Sequence, residues 1–141
     1  DVLAEIGGFH PWLDRVGTNL LSSGDVFLQM EIARRGYLCA YVPEMAIDHL
    51  AAASRLNQRW FRRRFYWQGI SDAVMHLIER SPSRVERLRL AVARGARVLA
   101  SPQKLIPLLT RAGDDRVKFK QKCLALIDLG FIAGLLGAAG R

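Results

Sequence analysis

Apolar residues change their spacing several times along this chain, and each change predicts an element. Leu28 and Ile32 recur at helical spacing with Arg35, with Phe27 and Met30 beside them, which predicts an amphipathic helix. Ser22 or Ser23 can serve as its N-cap, and Asp25 in the first turn suits the positive helix end. Arg34 and Arg35 suit the negative end, and Gly36 is a natural terminator. Tyr37–Val42 then reads as a strand closed by Pro43, and Met45–Leu50 as a second short strand. From Ser54 the spacing is helical again. Leu56, Trp60, Trp67, Val74 and Leu77 predict a long helix with these residues toward a core and Arg55, Arg59, Arg62 and Arg63 on a neighbouring face.

Ser81-Pro82-Ser83 ends that helix. Val85, Leu88, Val92, Ala96 and Leu99 mark another, up to Ser101-Pro102, and a third runs from about Asp115 toward Gly130 or beyond. Residues 1–21, carrying Gly7, Gly8, Pro11 and Gly17, read as loop and turn. The break near Ser81 is the one convincing boundary, with mixed α/β pattern over residues 1–80 and helix over residues 81–141. There is no internal repeat.

The 141 residues suffice for one domain with a modest core, and a hydrophobic content of 50% is that of a globular chain. A net charge of +8 and a pI of about 10.3 favour anionic partners such as nucleotide phosphates, anionic lipid or nucleic acid. Cys39 and Cys123 stand far apart without zinc-like spacing, and a reducing, cytoplasmic setting is the simpler reading. The chain opens on Asp1 in mid-pattern and reads as a piece of a longer protein. The longest apolar run, Leu129–Gly140, is cut off upstream by Asp128 and is too short to span a bilayer.

Gly7-Gly8-Phe9, then Asp25 at a helix start, then Arg34-Arg35-Gly36 at the helix end, then a strand pattern and His49, resembles the acceptor half of the family-2 glycosyltransferases. That resemblance implies an α/β fragment of a GT-A (Rossmann-like) fold followed by an all-helical C-terminal tail. It implies inverting transfer of a sugar from a nucleotide-sugar donor to a glycan or lipid-linked acceptor, with Asp25 as general base. Gly24 stands where the family has Glu. Gly8 and Phe9 match the acceptor-side turn, where Phe9 or Trp12 can stack on a sugar. Arg59 and Trp67, on the Arg- and aromatic-rich helix after His49, lie where the family packs a helix beside the donor. His49 matches a strand-end ligand for Mn²⁺ or Mg²⁺, with the Asp-x-Asp that would share the ion absent here. The donor-binding half is absent too, so the chain alone is expected to be inactive.

Read without the resemblance, these residues have plainer roles. Asp25 interacts with a helix end, Gly7-Gly8 makes an ordinary turn, and His49 is a hydrogen-bonded histidine. Two rival functions follow from charge. One is nucleic-acid binding, for which no helix-turn-helix, RNP or zinc pattern occurs. The other is a peripheral membrane contact on the cytoplasmic face through Arg84, Arg87, Arg89, Arg94 and Arg97 with their interleaved Leu and Val. The membrane contact is compatible with a transferase acting on a membrane-borne acceptor.

Overall fold

The computed structural model describes residues 1–13, 15, 17–110 and 113–137. Its helices are α1 (Val2–Ile6), α2 (Gly24–Arg34), α3 (Gln58–Arg80), α4 (Arg84–Leu99), α5 (Pro102–Leu109) and α6 (Arg116–Leu135). Short 3-10 turns lie at Pro11–Leu13 and Ala53–Arg55. The described residues contain no strand and no sheet, which overturns the expected α/β fragment of a GT-A (Rossmann-like) fold.

The physical reason lies in residues 37–57. Both predicted strands lie in irregular, wholly exposed backbone, with Leu38 at 96% and Leu50 at 91%. Between Tyr37 and Ala51 the backbone closes a turn, Met45 N–H donating to Val42 O at 3.1 Å, and no ladder forms among the described residues. Two short strands are marginal alone and need a further strand or a packed face. No other segment of this sequence has the pattern to supply one. Alternation of apolar residues records fitness for a sheet, and among the described residues there is no sheet to join.

The core is built on α3 and α6. Gly69 of α3 and Gly130 of α6 let the two backbones touch. A Cβ on Gly69 would lie 2.0 Å from Ile127 O, and one on Gly130 would lie 1.9 Å from Tyr66 O. One turn on, a Cβ on Gly134 would lie 2.6 Å from Ala73 Cβ. Around this seam Ala73, Leu77, Ala91 and Leu135 form one buried cluster, joining α3, α4 and α6. Leu13, Leu21, Ile70 and Val74 form a second, which fixes the N-terminal loops onto α3. The predicted core stripe of the long helix is therefore buried only at its C-terminal half. Val74 and Leu77 are buried, Trp60 and Trp67 are half-buried, and Leu56 is exposed.

Helix ends follow ordinary capping chemistry. Asn57 Oδ1 accepts from Trp60 N–H at 2.9 Å and Asp115 Oδ1 from Lys118 N–H at 2.9 Å. Ser83 and Glu86 form a reciprocal capping box on α4. Gly36 (φ 83°) closes α2, its N–H donating to Ala33 O while Tyr37 N–H donates to Ile32 O, the double bond pattern of a Schellman end. Helix α5 is not foreseen in the sequence. Pro102 pre-sets its first turn, but Pro107 inside it masks the helical signal.

Asp128 of α6 ties three helices together. Its buried carboxylate accepts from Arg94 Nε and from Lys104 Nζ, each at 2.6 Å. The Arg94 guanidinium also lies 4.7 Å from the Phe131 ring centroid. Asp128→Asn is expected to lower stability by about 1–3 kcal/mol. That is less than the cost of breaking a fully buried pair, because Arg94 and Lys104 are partly exposed and can be rehydrated. The urea midpoint should fall with an unchanged slope.

Candidate functional site

The junction before α2 is fastened to α3 by a polar latch. Ser22 N–H donates to Ser71 Oγ at 3.0 Å, and Ser71 Oγ–H donates to Trp67 O at 2.9 Å. Ser22 Oγ–H donates to Gln68 Oε1 at 3.2 Å. Gln68 Nε2 donates to Ser23 Oγ at 3.1 Å and to Asp72 Oδ1 at 2.9 Å. Ser23 occupies the N-cap position, yet its hydroxyl serves this latch instead of capping the helix. It is buried with φ 76° and ψ 9°, a left-handed conformation that costs a non-glycine residue about 1 kcal/mol or more. The strain is sustained by the latch.

What the strained junction positions is Asp25. Its exposed carboxylate stands in the first turn of α2, on a cavity of about 460 Å³. Phe9, Arg15, Ser22, Arg64 and Gln68 line the same cavity, with Leu13 and Leu21 beneath. Arg64 is the unusual member. Its Nη1 is buried and has no hydrogen-bond partner. Burial holds the guanidinium below its ordinary pKa, the charge of Arg15 adds to this, and Asp72 and Asp25 oppose it. A cation remains here, since arginine stays protonated in proteins. The cavity thus combines one carboxylate, two guanidiniums and an aromatic face.

Of the residues singled out in the sequence, Asp25 and Phe9 meet on this cavity. Gly8 lines a neighbouring cleft of about 390 Å³, which shares Phe9 and also contains Glu31, Arg34 and Glu79. Trp12 sits half-exposed on the 3-10 turn, its ring edge-on to His10 at 5.6 Å, and is not among the residues lining the Asp25 cavity. Arg59 is exposed at the start of α3. Trp67 packs against the Leu13, Leu21, Ile70 and Val74 cluster, so its side chain serves the core. His49 is exposed in the irregular segment between α2 and α3. Among the described residues no three His, Cys, Asp or Glu side chains stand together as a metal site. Among the described residues, then, His49 does not belong to a cluster that could hold Mn²⁺ or Mg²⁺.

Arg64, Gln68 and Ser71 are site and latch residues that the sequence reading passes over. Their spacing of four and three residues places them on one face of α3, and Ser22-Ser23 is the polar pair that meets it.

Comparison with family models, with characterised proteins and with solved structures finds no match to this chain.

Proposed function

We propose that the Asp25 cavity is the acceptor side of a sugar-transfer site, inverting in outcome and supplied by a nucleotide-sugar donor. The observation that supports this reading most is the Asp25 carboxylate at a strained, latched helix start, facing a cavity that also holds Phe9 and the Arg64 guanidinium, whose buried Nη1 has no hydrogen-bond partner. An acceptor hydroxyl hydrogen-bonded to Asp25 loses its proton to the carboxylate as its oxygen attacks the anomeric carbon. The bond from that carbon to the leaving diphosphate breaks on the opposite face, and the electron pair departs with the nucleotide. Phe9 offers an apolar ring to a sugar face, and Arg64 with Arg15 compensates negative charge on the ligand. The reading rests on this site and does not require a Rossmann-like sheet in the present chain.

The test is a ligand titration of the chain followed by backbone amide NMR, using nucleotide-sugars and sugar phosphates. Shifts are expected at Phe9, Ser22, Ser23, Asp25 and Gln68. Arg64→Met, which keeps much of the apolar stem, should weaken anionic ligands about tenfold or more while leaving uncharged sugars little changed. Absence of shifts around the cavity with every ligand, or equal affinity after Arg64→Met, would reject the reading.

A further inference from the structure

The apolar stripe that marks α4 in the sequence faces solvent. Val85 is 59% exposed, Leu88 56%, Val92 64% and Leu99 68%. With the exposed Ala96 they fall within about a quarter of the helix circumference. The side of α4 that meets the protein adjoins this stripe and carries Ala91, Gly95 and the buried Val98. Ala91 is buried against the α3 and α6 cluster, and a Cβ on Gly95 would be 3.8 Å from Ile132 Cδ1.

Charge is sorted around this stripe. Arg84 and Arg89 border it on its two flanks and are exposed, and Arg97 is exposed further round. Arg87 and Arg94 are committed elsewhere. Arg87 Nε donates to Pro82 O at 3.0 Å, and Arg94 pairs with Asp128. The acid carried by α4, Glu86, is held in the capping box, where hydrogen bonds from Ser83 keep its carboxyl below its ordinary pKa. No helix among the described residues is long and apolar enough to cross a membrane.

We infer that the solvent face of α4 docks on an anionic lipid bilayer, lying in the interface with Val85, Leu88, Val92 and Leu99 among the acyl-chain ends and Arg84 and Arg89 on headgroup phosphates. An amphipathic helix with a basic border and an aliphatic face has the chemistry of an interfacial helix. A second copy of the chain on this face would bring a second set of arginines beside the first, with only Glu86 on each α4 to offset them. Nucleic acid would neutralise the arginines but leave the aliphatic stripe against phosphates. An anionic bilayer answers both features. This inference goes beyond the transferase reading and stands without it.

The test is co-sedimentation of the chain with sucrose-loaded vesicles, of phosphatidylcholine alone and of an equimolar phosphatidylcholine–phosphatidylglycerol mixture, at low and high salt. Binding is expected on the mixed vesicles and should weaken with salt. The double substitution Leu88→Gln with Val92→Gln should lower partitioning about tenfold or more. Arg84→Gln and Arg89→Gln should each lower it about fivefold, and Arg87→Gln should not. These positions are exposed, or in Arg87 bonded only to a neighbouring carbonyl, and circular dichroism confirms that each variant is folded. Four results would overturn the inference. They are no binding, equal binding to neutral vesicles, binding insensitive to the Leu88 and Val92 pair, and a concentration-dependent dimer that this pair abolishes. Loss of binding on substituting Leu38 and Tyr41 while the α4 pair has no effect would move the contact to the segment between α2 and α3 and likewise overturn it.

Discussion

Asp25→Asn is expected to reduce turnover in the proposed transfer reaction by about 10²–10⁴-fold while leaving ligand affinity nearly unchanged. The amide keeps the shape and hydrogen-bonding reach of the carboxylate but cannot accept the acceptor's proton. Asp25 is exposed and makes none of the latch bonds, so the fold should survive the change. The measurement is single-turnover transfer by a protein carrying this chain, run beside the binding titration. A variant with near-normal rate and a slightly lower melting temperature would reduce Asp25 to a helix-end charge worth about 0.3–1 kcal/mol. Unchanged rate and unchanged affinity would remove it from the site.

Gly130→Ala is expected to produce the largest loss of stability, about 3 kcal/mol or more. The added methyl would lie 1.9 Å from Tyr66 O, which is backbone, so neither partner can turn aside. The two helices must separate, and the clusters on both sides of the seam loosen with them. For a chain of this length the melting temperature should fall by roughly 10 °C. Gly69→Ala should act in the same way from the other helix, because its Cβ would meet Ile127 O at 2.0 Å. Gly95→Ala provides the contrast. Its Cβ would meet only Ile132 Cδ1, at 3.8 Å, and a helical alanine is favoured over glycine by about 1 kcal/mol. Equal melting temperatures for Gly130→Ala and Gly95→Ala would contradict the seam.

Helices α2, α3, α4 and α6 were legible because their signals are local, whereas α1 and α5 were not foreseen. Asp115 at a helix start, Ser81-Pro82-Ser83 as a stop and Gly36 as a terminator all act through bonds within a few residues. The sheet was misread because strand pattern is a statement about absent neighbours. Tyr37–Leu50 has the alternation without a partner strand among the described residues. The glycine seam was hidden for the opposite reason. Gly69 and Gly130 lower helix propensity locally, and their value appears only when another backbone arrives. At the site, Asp25 and Phe9 could be named from a motif-like pattern. Arg64 could not be separated from Arg62 and Arg63 until the fold buried one of its nitrogens and left the other two side chains outside.

The exposed run from Tyr37 to Asn57 makes the covalent link between the two parts of the molecule dispensable once folding is complete. Chymotrypsin should cleave first at Leu38 or Tyr41, which are solvated and free of regular structure. The released N-terminal piece should not diffuse away. It remains clasped by Ser22 and Ser23 on Gln68 and Ser71, by the burial of Leu13 and Leu21 against α3, and by Arg34 Nη2 on Glu79 Oε1 at 2.7 Å. The nicked protein should therefore elute as one particle in gel filtration and run as two bands in denaturing gels. Such a molecule would behave as a complex of two peptides whose dissociation constant reports directly on the latch that strains Ser23.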